Sequence, residues 1–265
     1  MSKLVHPELS YIVRGVLLDV YNTLGPTLKE AYYRDAIALG LEARTIPCQV
    51  EKPFEVYYEE ERVGLYYVDV WVDSGKLLLE IKVAPVIGPV HKAQALSYLK
   101  VTDADLAIVA NFGGASLEDE RLPNFLRNRQ PAYSWQPKPA DPSLLHSELV
   151  NAIQQACHRI HFLLGTGFLH QVYRRAMMIE LRRGGLGFEY IKRIPVEYQG
   201  HLLGHQEVRL ILVEGKVLLA TFALREVSDA MAERLKGCLR RLGLKLGLLA
   251  NFHGTSPTIT PVRIR

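Results

Sequence analysis

The chain has 265 residues, of which 48% are hydrophobic and 23% charged, with a formal net charge of +4. This is a globular composition, which excludes a disordered chain, and the charge is too small to mark a strongly basic nucleic-acid binder by itself. No apolar run approaches the roughly 20 residues of a membrane span, MSKLVHPELS at the start has no signal-peptide stretch, and Cys48, Cys157 and Cys238 lack metal-ligand spacing, so the sequence reads as a cytoplasmic protein with reduced thiols.

Taken in chain order, the first element is an amphipathic helix. Leu9, Ile12, Val13, Val16, Leu17 and Val20 recur with a period near 3.6. Leu24-Gly25-Pro26 interrupts it, and a second helix follows over about Leu28–Leu39 with Gly40 read as its C-cap. Strands come next, near Glu55–Tyr58, at Leu65–Val72 and at Leu77–Val83. A helix over about His91–Lys100 then leads to a buried strand, Leu106–Asn111. This α, β-meander, α, β order predicts an α/β or α+β sandwich with a central mixed sheet flanked by helices.

The same order then recurs, because the chain repeats itself at an offset of 140 residues. Lys3–Leu9 (KLVHPEL) falls on Ser143–Leu149 (SLLHSEL), and Leu24–Ala36 (LGPTLKEAYYRDA) on Leu164–Ala176 (LGTGFLHQVYRRA). Gly75-Lys76 falls on Gly215-Lys216, and Ala110–Ser116 (ANFGGAS) on Ala250–Ser256 (ANFHGTS). The stretch between Leu41 and Gly64 reads as needing a compensating two-residue shift. Gln130–Ser143 (QPAYSWQPKPADPS) is rich in Pro and polar residues and reads as a linker, which divides the chain into domains 1–135 and 143–265.

The hairpin of the first copy, GLYYVDVWVDSGKLLLEIKV (Gly64–Val83), carries charges where a core hairpin would carry none. With Ser74 and Gly75 at the centre of the turn, Asp73 pairs with Lys76, and counting outward sets Asp69 opposite Glu80. Directly opposed residues have Cβ atoms about 4.5–5.5 Å apart, and Lys82 falls on the same face as Glu80. Two such carboxylates raise each other's pKa. A divalent cation between them relieves the repulsion, and hard oxygen ligands suit Mg²⁺ or Mn²⁺. Simple neutralisation of the pair by Lys82 on a solvated sheet face is the other reading of these residues.

Asp-x(n)-Glu-x-Lys on two adjacent strands, after an acidic helix and before a helix bearing Gln, resembles the PD-(D/E)xK nuclease superfamily. More narrowly, the chain resembles the bacterial GxxExxY proteins within it. Copy one has Thr27-Leu28-Lys29-Glu30-Ala31-Tyr32-Tyr33 at the name motif, with Thr for the Gly. Copy two has Gly167-Phe168-Leu169-His170-Gln171-Val172-Tyr173, with His for the Glu. The resemblance implies two tandem nuclease-like domains. It also implies metal ligation by Asp69, Glu80 and the backbone carbonyl of Ile81, catalysis by Lys82, and roles for Glu30 near the metal and Gln94 toward water or phosphate. Tyr33, one turn after Glu30, reads better as a core residue than as a member of the site.

Copy two lacks this set. At the same offset Glu30 becomes His170, Asp69 becomes Arg209, Glu80 becomes Ala220, Lys82 becomes Phe222 and Gln94 becomes Arg234. Charge divides too: residues 1–140 carry 15 Lys/Arg against 18 Asp/Glu, a net −3, whereas residues 141–265 carry 17 against 10, a net +7. Arg174, Arg175, Arg182, Arg183, Arg193, Arg234, Arg240 and Arg241 contribute to the excess. They suit a phosphate-backbone surface, a solvated helix face, or salt bridges to the acidic first copy. His158 and His161 beside Cys157 share one helix with no further ligand at a fitting spacing, so no zinc site is read there. The sequence thus predicts a Mg²⁺- or Mn²⁺-dependent nuclease acting on DNA or RNA through copy one, with the copies meeting as an intramolecular pseudo-dimer and a homo-oligomer possible. The alternative is a nuclease-fold binding or interaction protein without turnover.

Overall fold

The protein, seen in a computed structural model, is described over residues 4–125, 133–136, 139 and 145–264. It divides into two compact units, one of Met1–Tyr57 with Gly64–Pro131 and the other of Tyr58–Val63 with Ala132–Arg265. Most of the segment read as a linker, Gln130–Ser143, lies outside the described residues.

In the first unit, α1 (Pro7–Leu24) and α2 (Glu30–Glu42) precede the strands β1 (Cys48–Tyr58), β2 (Glu61–Val72) and β3 (Leu77–Lys82). Then come α3 (Pro89–Thr102), β4 (Leu106–Asn111) and β5 (Glu118–Pro123). The five-stranded sheet runs β1-β2-β3-β4-β5. β3 is antiparallel to β2 and parallel to β4, with α3 as the crossover that parallel neighbours require. Alternation along β3 sends Leu77, Leu79 and Ile81 into a core shared with Val13, Val16 and Leu17 of α1 and Tyr33, Ile37 and Leu41 of α2. It sends Leu78, Glu80 and Lys82 to the opposite face.

Several expectations need correcting. Gly40 does not cap α2, which continues to Glu42. A Cβ at Gly40 would come within 2.7 Å of Val16 Cγ1, so the glycine is there to let the two helices approach. β1 starts at Cys48 rather than near Glu55, and its Pro53 sits on an edge strand, where proline is tolerated. β5 went unread because EDERLP has no apolar period. Its charges instead suit a sheet edge.

The repeat has the same plan: α4 (Ser147–Leu164), α5 (His170–Arg183), β6 (Phe188–Tyr198), β7 (His201–Val213), β8 (Val217–Phe222), α6 (Asp229–Leu242), β9 (Leu246–Asn251) and β10 (Thr258–Arg263). Its sheet runs β10-β9-β8-β7-β6, with β8 and β9 parallel. β1 and β6 begin and end at the plain offset of 140 residues, so the two-residue shift read between Leu41 and Gly64 is not needed. Two polar staples recur as well. The Tyr33 hydroxyl donates to the Gly25 carbonyl (2.7 Å) and accepts from Leu28 N–H (3.0 Å), and its ring stacks on Phe112. Tyr173 does the same with Gly165 (3.0 Å), Phe168 N–H (3.3 Å) and Phe252. Asn111 bonds both backbone groups of Ala84, as Asn251 bonds both of Leu224. Tyr33 is therefore a core residue, fully buried. Among the described residues no helix is long and apolar enough to cross a membrane.

Candidate active site

The β2–β3 turn sets the register of the site. Lys76 N–H bonds the Asp73 carbonyl at 3.2 Å, with Ser74 (φ 54°) and Gly75 (φ 101°) between them. A Cβ at Gly75 would lie 2.5 Å from the Trp71 ring, so glycine is required both by φ and by the close approach. From this turn the ladder runs Val72↔Leu77, Trp71↔Leu78 and Val70↔Leu79. Its next step would pair Asp69 with Glu80, but there the regular pairing stops. The Asp69 carboxylate itself takes the Ile81 N–H at Oδ2, 2.8 Å.

Glu80 is 3% exposed, and both its oxygens are engaged. Oε1 accepts from Lys82 Nζ at 2.6 Å and from Gln94 Nε2 at 3.1 Å, and Oε2 accepts from the Tyr66 hydroxyl at 2.9 Å. Gln94, on α3, also donates to the hydroxyl of Tyr98. The Tyr98 ring stacks on Tyr66 with centroids 3.6 Å apart. The structure thus brings Asp69, Glu80, Lys82 and Gln94 together. Glu30, exposed at the first position of α2, acts on them through its charge.

The electrostatics follow from burial. Desolvation, then the Glu80 charge, push Asp69 up to about 7, against the Ile81 N–H and Lys82, with Glu30 adding to the rise. Burial raises Glu80 as well, although Lys82 and Tyr66 oppose it. For Lys82 burial favours the neutral amine, but the negative charges of Glu80, Glu30 and Asp69 outweigh it and hold the ammonium. Burial also raises Tyr66, helped by Glu80.

Tyr66 and Tyr98 are the residues that sequence reasoning missed. Strict alternation puts Tyr66 on the face opposite Asp69, and that rule lapses where the ladder stops at Val70. Tyr98 had a signal, lying one turn after Gln94 on the same side of α3.

The five replaced positions of the second unit also converge. His170, Arg209, Ala220, Phe222 and Arg234 line one cavity of about 500 Å³, together with Arg174. Fold and clusters define a duplicated α/β protein in which one copy keeps an acid–lysine constellation and the other replaces it. A family model of the PD-(D/E)XK nuclease superfamily matches residues 7–122 and again residues 147–262, and the chain belongs to that superfamily as a tandem duplication. No curated protein and no solved structure matches it.

Proposed function

We propose that the first repeat, residues 1–135, is a metal-dependent nuclease of the GxxExxY type that hydrolyses phosphodiester bonds of DNA or RNA. In this reading the second repeat, residues 143–265, carries no catalytic residues. The observation behind it is the convergence of Asp69, Glu80, Lys82 and Gln94 on one sheet face, with two buried carboxyls of raised pKa.

The donors fit Mg²⁺ or Mn²⁺ chemically, since Asp69, Glu80 and the Ile81 carbonyl are all hard oxygens. Among the described residues no group of three or more His, Cys, Asp or Glu side chains forms a ready metal cage. Lys82 holds the cation's place on Glu80, so metal entry requires the ammonium to move off Oε1. The bound ion would supply charge stabilisation for in-line attack of water on a phosphodiester. Lys82, once released, is the positioned group for proton transfer or for the charge building on phosphate. Gln94 orients Glu80 and is placed to orient water. Tyr66 and Tyr98 shield the inner side of the carboxylate from solvent and fix its rotamer.

The test is cleavage of a panel of single- and double-stranded DNA and RNA with Mg²⁺ and with Mn²⁺, by wild type and Glu80→Gln. Cleavage lost in the variant supports the reading. A wild-type protein inert on the whole panel would favour the non-catalytic binding protein, a reading to which the fully engaged Glu80 lends some weight.

A further inference from the structure

The cavity of the second unit lies where the first holds its acidic cluster, and its charge is inverted. Arg174 is 5% exposed and lines the cavity wall with its guanidinium 5.6 Å from the centre of the Tyr190 ring. Arg209 and Arg234 are exposed at the rim, and His170 opens α5 beside them, so the positive end of that helix faces the same region. Among the described residues none of these three arginines forms a salt bridge. The lining carboxylate, Glu207, is exposed and lies 3.7 Å from Arg193.

Several other arginines of this unit are occupied. Arg182 pairs with Glu61, and Arg183 pairs with Glu59, which Arg159 also meets. Arg175 donates to the Val63 carbonyl. The three cavity arginines are set apart by their shared location around one space. Burial lowers the proton affinity of Arg174; Tyr190, to which it hydrogen-bonds, opposes the fall, and the like charges of Arg209 and Arg175 add to it. Burial and the charges of Arg174 and Arg209 likewise keep His170 low. Burial is the larger cause in both cases, and the neighbouring arginine charges act in the same direction.

We infer that this cavity binds a phosphate monoester carried on a flat, largely apolar body, of the nucleoside monophosphate class, without any metal. Three guanidinium groups around one space exceed what a single carboxylate would offset, and they match the two charges and three free oxygens of a monoester. The remaining wall is apolar, with Phe222, Met231 and Leu235 available to a ring. The volume lies within the range of small-ligand sites. The logic of the first copy is preserved with its middle term removed. Carboxylates that could hold phosphate through a cation have given way to cations that hold it directly.

The experiment is calorimetric titration of the full chain in EDTA with adenosine 5′-monophosphate, inorganic phosphate and adenosine. Saturable binding of the monophosphate is expected, tighter than that of phosphate and absent for adenosine. Arg209→Ala and Arg234→Ala, both at exposed positions that leave the fold intact, should each weaken it about tenfold. Lys82→Ala should leave it unchanged. No saturable binding of the monophosphate, or the same affinity in Arg209→Ala and Arg234→Ala as in wild type, would overturn the proposal. So would loss of binding in Lys82→Ala, which would place the ligand in the other unit.

Discussion

Two regions of this chain share a plan and differ in what sits at its centre. Tyr33 and Tyr173 hang from the same glycine carbonyl and stack on the same phenylalanine, and Asn111 and Asn251 staple the same loop. These groups bond backbone N–H and C=O at loop positions outside the helices and strands, and both copies have them. Lys82 and Gln94 bond to Glu80, and Asp69 takes the Ile81 N–H beside them. Their counterparts Arg209, Ala220, Phe222 and Arg234 line a cavity without disturbing the sheet. The first set therefore serves the fold. The second serves something a copy can lose and still fold.

The sharpest way to break this comparison is to treat equivalent positions alike. Lys82→Ala should reduce phosphodiester cleavage by roughly 10²–10⁴-fold, whereas Phe222→Ala should leave it unchanged. Equal effects in a cleavage assay would mean that the two copies do not divide the work as proposed.

A stability effect comes next. The Asp69 carboxyl titrates near 7 in the folded chain, above its ordinary value of 3.8. The folded state therefore holds a proton that the unfolded state has released, and the stability it contributes is present below pH 4 and lost as pH rises toward and through 7. The full difference is worth about 4 kcal/mol. In metal-free buffer Asp69→Asn should accordingly raise the melting temperature at pH 8 and change it little at pH 4. The opposite pH trend would show that Asp69 is held ionised. Glu80→Ala should instead destabilise by about 3–5 kcal/mol, since it strands the buried Lys82, and Glu80→Gln is the gentler probe. Chemical denaturation of both variants would separate these cases.

The smallest effect sharpens the structural half of the comparison. Tyr33→Phe and Tyr173→Phe each remove one hydroxyl from the same pair of backbone groups. Each should cost about 1–3 kcal/mol in chemical denaturation, by similar amounts. A large asymmetry would mean that the staples are not equivalent.

Much of this was legible in the sequence, for physical reasons that differ by element. Ser74-Gly75 pins a turn, a turn fixes a register, and register sets Asp69 toward Glu80, so this part of the candidate site follows from counting. The 140-residue offset made the second copy a built-in comparison, and it identified the five positions that now prove to line one cavity. What escaped was whatever depends on a broken rule or on distant packing. Tyr66 reaches Glu80 past the end of a regular ladder. Gly40 is set by its distance from Val16, which no local pattern records. β5 is a charged edge with no apolar face to betray it. Arg174 carries nothing in its own neighbourhood to distinguish it from Arg175, and only the fold places one in the cavity and the other against the Val63 carbonyl.

The central claim is that divalent-metal chemistry belongs to the first copy alone, and Mn²⁺ titration calorimetry at pH 8 addresses it most directly. Wild type should bind Mn²⁺ saturably, Asp69→Asn should not, and Arg209→Ala should bind as wild type does. Mn²⁺ binding that survives in Asp69→Asn, or that disappears in Arg209→Ala, would contradict the account.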